Sequence, residues 1–310
     1  MPEKILSICI PTYNRADILD KTLSTLVSEP SFIAEKIEIC ISDNASTDNT
    51  GEVVKQYTDK YSNIIYNRNI KNTEIIDGNF PIVGEIASGT FIKFLNDYAS
   101  FKPGELDKII EFIETNRKER PVLFFSNNNL RNKTTEVIHC DTLDQFVQEA
   151  SYFITWVLAA GMWRDDFRSI NDRDRSVVKF MWCPDNYLRL ISAGRKAIIY
   201  NRQFCVLQTL KSKGGYNIFQ VFVINYLGLY DEYRAKKQIS GVTMFNEKTK
   251  LFLYFLIPWT LNLQITNSFY SFSKQGAFKL LFKKYWSHPI LYIGVVYLFF
   301  RTLLKKIKHL

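Results

Sequence analysis

Residues 37–50, IEICISDNASTDNT, combine a short apolar run with an abrupt change to small polar residues. Isoleucines at alternate positions lead up to Ile41, and acids, amides and hydroxyls follow from Ser42 onward. A continuous apolar run of this length, followed by residues that favour helix starts, is typical of a buried parallel strand leading into a crossover helix. The stretch therefore predicts a strand, a turn and a helix of an α/β sheet.

Asp43 stands where this predicted strand ends. In open α/β sheets, ligands bind just outside the carboxyl ends of the strands, so the Asp43 carboxylate is a candidate ligand contact. The same residue could instead cap the helix that follows, because aspartate is a favoured helix-capping residue. The spacing alone favours neither interpretation.

Similar units lie on both sides of this stretch. Residues 6–15, LSICIPTYNR, form an earlier apolar run, and Asn14 with Asp17 has the spacing of a capping box. One of the later helices should end at Gly89, a residue that often follows a helix C-terminus. The alternation predicts a mostly parallel, doubly wound sheet flanked by helices. Its further strands are predicted at residues 63–69, 90–95 and 121–126.

The second half of the chain is less regular. Pro184 opens a helix that should end at Gly194, and two strands are predicted between there and residue 210. Beyond Gly215 the pattern is helical throughout, so residues 211–310 are expected to form a helical region. Its helices are predicted at residues 216–237, 247–266, 269–285 and 288–308.

The net charge of +9 is confined to the end of the chain, because residues 248–310 contain ten Lys or Arg and no Asp or Glu. This segment is also rich in aliphatic residues, which is atypical of nucleic-acid binding and suits an anionic membrane surface better. Its apolar runs, residues 251–265 and 289–300, are shorter than the about 20 residues of a membrane-spanning helix. We expect helices that lie in the membrane interface; an ordinary helical subdomain or an oligomer contact is the alternative.

Four segments of the chain are SICIPTYNR (7–15), ISDNASTDNT (41–50), IDGNFPIVGEIASGTFIKFLND (76–97) and PGEL (103–106). Taken in this order, they resemble the nucleotide-sugar domain of a family 2 glycosyltransferase with the GT-A fold, a Rossmann-like α/β fold. The resemblance is closest to the bacterial abequosyltransferase-like branch, whose members build O-antigen or capsule chains. It covers residues 4–210 and implies a nucleotide-sugar half at about residues 1–126 and an acceptor half at about residues 127–210.

The resemblance implies a set of donor-binding residues at the carboxyl edge of the sheet. Pro11, Thr12 and Tyr13 match the family's turn that lines the nucleobase, and a tyrosine ring there can pack on a planar base. Asp43 matches the acid that hydrogen-bonds the base. The nucleotide-sugar set is completed by Asn14, Asn79, Asn96 and Asp97.

The chain departs from the family where the diphosphate should bind. The family has a D-x-D-type cluster there, because a divalent cation held by carboxylates neutralises the leaving diphosphate. Asn96 and Tyr98 occupy the places of the two acids, and Asp97 is the remaining carboxylate. Three interpretations stay open. Asp97 helps to bind a Mg²⁺ or Mn²⁺ that the diphosphate chelates, Lys or Arg from the second half replaces the metal, or the catalytic centre has decayed.

Asp185 matches the family's acid at the start of the acceptor-side helix, so the resemblance implies that it is the general base for the acceptor hydroxyl. On local sequence alone there is another explanation for this residue. A carboxylate at a helix N-terminus is stabilised by the helix dipole, whether or not it takes part in catalysis. The catalytic role of Asp185 therefore rests on the resemblance.

Together these features predict an inverting glycosyltransferase of bacterial surface-polysaccharide biosynthesis. It would move a sugar from a nucleotide diphosphate sugar to a hydroxyl of a glycan acceptor carried on a polyprenyl diphosphate lipid. The expected location is the cytoplasmic face of the cell membrane, with peripheral attachment, and no nucleic-acid partner is expected. The alternative is a catalytically impaired GT-A-fold binding subunit of a membrane polysaccharide-assembly complex, which the depleted acidic cluster favours.

Overall fold

The computed structural model describes residues 4–33, 35–130, 134–210, 213–264 and 270–297. The chain divides into two compact units. Unit 1 consists of Met1–Phe146 and Phe153–Leu210, and unit 2 consists of Val147–Tyr152 and Lys211–Leu310. All the candidate donor-binding residues and Asp185 belong to unit 1, whereas the basic, apolar tail belongs to unit 2.

Strands and helices alternate as the sequence predicts as far as Phe94, and they follow each other less regularly from there to residue 210. The strands are β1 (Leu6–Thr12), β2 (Ile37–Asp43), β3 (Ile64–Arg68), β4 (Phe91–Phe94), β5 (Ala99–Phe101), β6 (Val122–Phe125), β7 (Val137–Cys140), β8 (Gly161–Trp163), β9 (Ala197–Tyr200) and β10 (Cys205–Leu207). The helices are α1 (Ala16–Val27), α2 (Thr50–Thr58), α3 (Asn79–Glu85), α4 (Glu105–Thr115), α5 (Leu143–Ala150), α6 (Arg164–Ser169) and α7 (Trp182–Ser192).

The main sheet of unit 1 has the strand order β3-β2-β1-β4-β8. The first four strands in this order are parallel, and β8 is antiparallel to β4. Every residue of β2 is buried, as expected for a central parallel strand covered on both faces. On α1, Leu19, Leu23 and Leu26 recur at helical spacing and join the same apolar core. The mostly parallel sheet is therefore confirmed.

The predicted fifth strand does not join this sheet. β6 pairs in parallel with β9, and β7 pairs with the other edge of β9, so that these strands form a separate three-stranded sheet. The free edge of β4 is occupied by β8, whose Trp163 donates a hydrogen bond from Nε1 to the carbonyl of Pro121 at 2.7 Å. An apolar run identifies a buried strand, but the neighbouring strand is decided by contacts between distant segments.

The helix predicted to end at Gly89 ends earlier, because α3 stops at Glu85. Gly89 is needed for another reason. A Cβ atom at this position would lie 2.8 Å from the carbonyl carbon of Leu6 and from the nitrogen of Ser7, which is closer than real side chains allow. Glycine therefore lets the chain pass directly beside β1 before β4 begins.

Unit 2 is mainly helical but also contains a two-stranded sheet. Its elements are β11 (Lys213–Asn217), α8 (Leu227–Ala235), α9 (Gly241–Leu251), α10 (Ile257–Gln264), β12 (Tyr270–Ser273), α11 (Ala277–Tyr285), two π-helical segments at Gln220–Tyr226 and Phe252–Leu256, and a helix over residues 289–297. The rest of the predicted helix 288–308 lies outside the described residues. Within the described ranges, no helix is long and apolar enough to cross a membrane.

The predicted helix over residues 269–285 is wrong in its first part, because Tyr270–Ser273 form a strand that pairs in parallel with β11. Aromatic contacts explain the difference. The ring of Trp259 packs edge-on against Tyr270 and Phe272, with ring centroids 4.9 and 5.0 Å apart. Side chains two residues apart lie on the same face of a strand, so one indole can contact both rings only in the extended conformation.

Candidate functional site

The carboxyl ends of β1 and β2 lie side by side, because Thr12 and Asp43 are paired residues in the parallel register. The turns that follow them are hydrogen-bonded to each other. The backbone N–H of Asn14 donates to Oγ of Ser46 at 2.8 Å, and Oδ1 of Asn14 accepts from the backbone N–H of Thr47 at 2.7 Å. These contacts make one continuous surface of the two turns.

The capping box predicted at Asn14 is wrong. Helix α1 begins at Ala16 with Arg15 at the N-cap position, and the Arg15 side chain makes no capping hydrogen bond; instead the backbone N–H of Ala16 donates to Oδ2 of Asp48 at 3.1 Å. Asn14 has a positive φ of 52°, which asparagine tolerates better than most residues. Its side chain therefore points to the turn after β2, where its hydrogen bond with Thr47 joins the turns that follow β1 and β2.

Asp43 is 1% exposed, and three groups surround its carboxylate. Oδ2 accepts a hydrogen bond from the Tyr66 hydroxyl at 2.7 Å and lies 3.8 Å from Nε of Arg68, while Oδ1 accepts from the backbone N–H of Ser46 at 2.8 Å. Helix α2 begins at Thr50, so Asp43 caps the turn after β2 and not the helix. Each carboxylate oxygen has two lone pairs, and one hydrogen bond per oxygen leaves capacity for a ligand donor.

Asn79 lies at the same edge but is engaged with the protein. Its Oδ1 accepts from the Ser42 hydroxyl at 2.7 Å and from Nδ2 of Asn69 at 3.1 Å, and its Nδ2 donates to the Ser42 carbonyl at 2.8 Å. The side chain therefore fixes the ends of β2 and β3 relative to α3. Its predicted contact with the nucleotide sugar stays a prediction.

Pro11 and Tyr13 belong to the turn predicted to line the base. Pro11 is paired with Ser42 in the register of β1 and β2, which places it at the sheet edge. Tyr13 follows the last residue of β1 and is 45% exposed. A large aromatic ring exposed at the carboxyl edge of a parallel sheet is available to stack on a planar ligand.

Asp97, which follows β4, is connected to the same edge. Its Oδ2 accepts a hydrogen bond from the Thr12 hydroxyl at 2.9 Å, and its Oδ1 lies 3.7 Å from Nη1 of Arg15. The Thr22 hydroxyl donates a hydrogen bond of 2.9 Å to the backbone carbonyl of Asp97. Burial raises the pKa of Asp97 above its usual range, while the Arg15 charge and the Thr12 hydrogen bond oppose this shift.

Sequence reasoning missed Arg15, which stands beside Asp97 and has no hydrogen-bond partner for its Nη1 in the described part of the chain. The neighbouring Asn96 has the complementary feature, since its buried Oδ1 accepts no hydrogen bond from any described residue. Buried polar atoms are nearly always paired in folded proteins, so the orphaned guanidinium nitrogen beside the Asp97 carboxylate indicates a place for a polar ligand. The sequence signal for Arg15 is its position directly after the Tyr13 turn.

The described residues do not fit a resident divalent cation. They contain no group of three or more His, Cys, Asp or Glu side chains that could hold a metal ion. Asp97 is the one carboxylate left from the expected cluster, and its two oxygens face the Thr12 hydroxyl and the Arg15 guanidinium. Hard cations require several oxygen ligands, and a guanidinium beside the one carboxylate repels a second positive charge.

Asp185 lies in the first turn of α7 and is completely buried. Arg175 holds its carboxylate through both oxygens, with Nε to Oδ2 at 2.7 Å and Nη2 to Oδ1 at 2.6 Å, and the Ser176 hydroxyl donates to Oδ2 at 2.8 Å. A general base must come within hydrogen-bond reach of the proton that it removes. Asp185 can therefore meet an acceptor hydroxyl only if the Arg175 side chain moves away.

A second buried acid near the start of α7 was not singled out from the sequence. Asp77 accepts a hydrogen bond at Oδ2 from the backbone N–H of Trp182 at 3.0 Å, which ties the segment before α3 to the N-terminus of α7. Burial raises the pKa of Asp77 to about 7, and the Trp182 hydrogen bond opposes this. The signal in the sequence is an acid two residues before Asn79 within the family-like segment.

The chain is similar in sequence to known proteins over part of its length. Abequosyltransferase RfbV of Salmonella typhimurium is 42% identical over 88 residues, which are 28% of this chain and 26% of that protein. The GalNAc(5)-diNAcBac-PP-undecaprenol beta-1,3-glucosyltransferase of Campylobacter jejuni is 29% identical over 106 residues, 34% of this chain and 33% of that protein. The chain therefore matches about a quarter to a third of the length of these relatives.

The structural comparison concerns the fold. S. aureus TarS 1-349 in complex with UDP-GlcNAc superposes with a TM-score of 0.60 at 13% identity, covering 85% of this chain and 76% of that one. The predicted GT-A glycosyltransferase fold is thereby confirmed. The family model described as glycosyl transferase family 2 matches residues 7–170, which is just over half of the chain. The chain belongs to glycosyl transferase family 2.

Proposed function

We propose that the protein transfers a sugar from a nucleotide diphosphate sugar to a hydroxyl of a glycan acceptor during the assembly of a bacterial surface polysaccharide. The observation that carries the proposal is the hydrogen-bonded sheet edge on which Tyr13, Asp43 and Asp97 are brought together. Relatives named for sugar transfer support it, as does the name of the Campylobacter enzyme, whose acceptor is linked to undecaprenol through a diphosphate. A lipid-linked acceptor is therefore our proposal for this chain.

Each part of the proposed reaction has a candidate group. Tyr13 and Asp43 hold the nucleoside, and Asp97 lies where the ribose and diphosphate are expected. The acceptor oxygen forms a bond to the anomeric carbon while the bond from that carbon to the diphosphate oxygen breaks. Attack from the face opposite the leaving nucleoside diphosphate inverts the anomeric centre, and Asp185 takes the acceptor proton once Arg175 has released it.

The test is sugar transfer by the purified full-length protein. A panel of UDP-, GDP-, CDP- and dTDP-sugars would be incubated with a synthetic polyprenyl diphosphate-linked glycan, and the anomeric configuration of the product determined by NMR. Transfer with inversion supports the proposal, and transfer with retention contradicts its mechanism. Binding of a nucleotide sugar without transfer would support the alternative, a binding subunit. The single carboxylate of the depleted cluster and the buried Asp185 favour that alternative.

We also propose that unit 2 attaches the protein peripherally to the cytoplasmic face of the membrane. Phe278, Phe282 and Trp286 recur at intervals of four residues along and just after α11, and all three are exposed, Phe278 by 68%. Three lysines are interspersed with them, and residues 248–310 contain no acid. Aromatic side chains with nearby lysines suit the boundary between anionic headgroups and acyl chains.

The helix over residues 289–297 supports this attachment. Ile290 and Leu291 are buried within unit 2, and a Cβ at Gly294 would clash with the ring of Phe252, so this side of the helix is packed tightly. The other side is exposed although it is apolar. It carries Tyr292, Ile293, Val295, Val296 and Tyr297. We call the exposed residues of α11 and of this helix the apolar face of unit 2.

A further inference from the structure

We propose that Arg15 supplies the positive charge that faces the donor's diphosphate, and that the nucleotide binds to this protein without a divalent cation. The proposal rests on the proposed function, because it assumes that the ligand at the sheet edge is a nucleotide diphosphate sugar. It differs from the expectations drawn from the sequence. Those expectations placed the charge on a chelated metal or on a basic residue of the second half.

Arg15 is held in place by its backbone and by its neighbours. It is the N-cap residue of α1, and its backbone N–H donates to the Thr50 hydroxyl at 3.3 Å. The guanidinium lies over the ring of Tyr98, 5.8 Å from the centroid, and Nη1 lies 3.7 Å from Oδ1 of Asp97. The side chain is therefore aimed at the residues that replace the family's acidic cluster.

The guanidinium is held there without using its hydrogen bonds. A guanidinium has five N–H donors in a fixed fork that matches the oxygens of a phosphate. None of these donors makes a hydrogen bond with a residue in the described ranges, and Nη1 is buried. A buried donor without an acceptor costs free energy, so a ligand that provides the acceptor would stabilise this arrangement.

Asn96, the residue before Asp97 in the chain, has a buried polar atom of the opposite kind. Its buried Oδ1 needs a donor, whereas Nη1 of Arg15 needs an acceptor. A nucleotide diphosphate sugar offers both, since its phosphate oxygens accept hydrogen bonds and its ribose and sugar hydroxyls donate them. A metal ion could bind the amide oxygen of Asn96 but would leave the donors of Arg15 without a partner.

The local charges lead to the same conclusion. Asp97 and Arg15 carry opposite charges 3.7 Å apart, so the pair offers no excess negative charge to a divalent cation. An arginine remains charged throughout the physiological pH range. Helix α1 also begins at this point, and the positive end of its dipole adds to the attraction for an anion.

The experiment measures binding of UDP, GDP, CDP and dTDP, together with the corresponding nucleosides, by calorimetry in EDTA. We expect the wild-type protein to bind one of the diphosphates under these conditions. Arg15→Gln should lower the affinity for that diphosphate by about tenfold or more, because a charge-assisted hydrogen bond is lost. It should leave the affinity for the nucleoside within about twofold of the wild-type value. Arg15→Lys keeps the charge without the fork and should give an intermediate loss.

Arg117→Gln is the matched control. It removes the charge of an arginine that lies just after α4 and pairs with Glu114. It should leave both affinities unchanged. The inference alone fails if a diphosphate binds only after Mn²⁺ or Mg²⁺ is restored, or if Arg15→Gln weakens nucleoside and diphosphate equally. If none of the four nucleotides binds to the wild-type protein with or without Mn²⁺, the proposed function fails and the inference fails with it.

Discussion

The hydroxyl of Thr12 donates a hydrogen bond of 2.9 Å to Oδ2 of Asp97, two residues that are 85 positions apart in the chain. Thr12 is the last residue of β1, and Asp97 follows β4. Since β1 and β4 are neighbouring parallel strands, the contact fixes the turn that carries Tyr13 relative to the residues proposed to meet the diphosphate.

We expect Thr12→Val to weaken nucleotide diphosphate binding by about tenfold, because a buried carboxylate loses a hydrogen-bond donor without a change in side-chain shape. The loss of this donor should also raise the pKa of Asp97 further. Thr12→Ser keeps the hydroxyl and is the control that should bind as the wild type does. Equal affinity of the valine variant would show that the contact does not organise the site.

Asp43→Asn should reduce nucleoside affinity by about tenfold, because one of the two accepting carboxylate oxygens is replaced by an NH2 group, which can only donate. Tyr66→Phe is the comparison, since it removes the hydroxyl that donates to Asp43 at 2.7 Å and keeps the carboxylate. It should bind the nucleoside nearly normally if Asp43 contacts the base. Calorimetry that found the same loss in both variants would indicate that Asp43 acts through Tyr66.

Asp185→Asn should abolish sugar transfer and leave nucleotide affinity nearly intact, if Asp185 is the general base. The substitution also breaks the ion pair with Arg175, so we expect a loss of stability of about 1–3 kcal/mol. Thermal unfolding and single-turnover transfer would be measured on the same preparations.

The double variant Asp185→Asn with Arg175→Gln separates the two roles of Asp185. It also removes the guanidinium that would otherwise face an amide in place of the Asp185 carboxylate, and it should recover part of the stability. Transfer should stay absent if Asp185 removes the acceptor proton. Recovery of transfer in the double variant, or near-normal transfer by Asp185→Asn, would place the base elsewhere.

Glu247 predicts a pH dependence of stability in unit 2. It is completely buried and accepts hydrogen bonds from the Ser151 and Tyr226 hydroxyls at 2.6 and 2.8 Å. Burial raises its pKa to about 7, and these two hydrogen bonds oppose the shift. Because the folded state binds the proton more tightly than the unfolded state, Glu247 contributes stability at low pH that is lost as the pH rises toward 7.

We therefore expect the apparent Tm of wild type to fall relative to that of Glu247→Gln as the pH rises from 5 to 8. The expected shift in the Tm difference is a few degrees, because the Glu247 contribution to the free energy of unfolding changes by about 3 kcal/mol. Glutamine keeps an oxygen that can accept from Tyr226. Scanning fluorimetry at both pH values checks this. A difference that does not change with pH would mean that Glu247 is ionised throughout this range.

The apolar face of unit 2 predicts binding to anionic vesicles. Phe282→Ser with Ile293→Ser should reduce flotation with vesicles of phosphatidylglycerol and phosphatidylethanolamine by about tenfold or more, because two exposed apolar side chains no longer enter the interface. Val178→Ser, at a residue of unit 1 that is 68% exposed, is the control. Unchanged flotation of the double variant would contradict the proposal, and a change in oligomeric state alone would identify the face as a contact between copies.

The local pattern of the sequence was sufficient to predict the strand and the turn around Ile41 and the position of Asp43 at the end of that strand. An apolar run followed by polar residues specifies a strand and a turn through neighbouring residues only, so β1, β2 and β4 are found where they were predicted. Asp97 could also be located, since it follows such a run.

The tertiary structure decided what these side chains contact. The hydrogen bond from Tyr66 to Asp43, the approach of Arg15 to Asp97 and the ion pair of Arg175 with Asp185 all join segments that the sequence pattern treats separately. The same is true of β6, whose partner is β9. Short-range periodicity reports which face of an element is buried, whereas pairing and electrostatic environment depend on packing between distant segments, and the chemistry of the site follows from that packing.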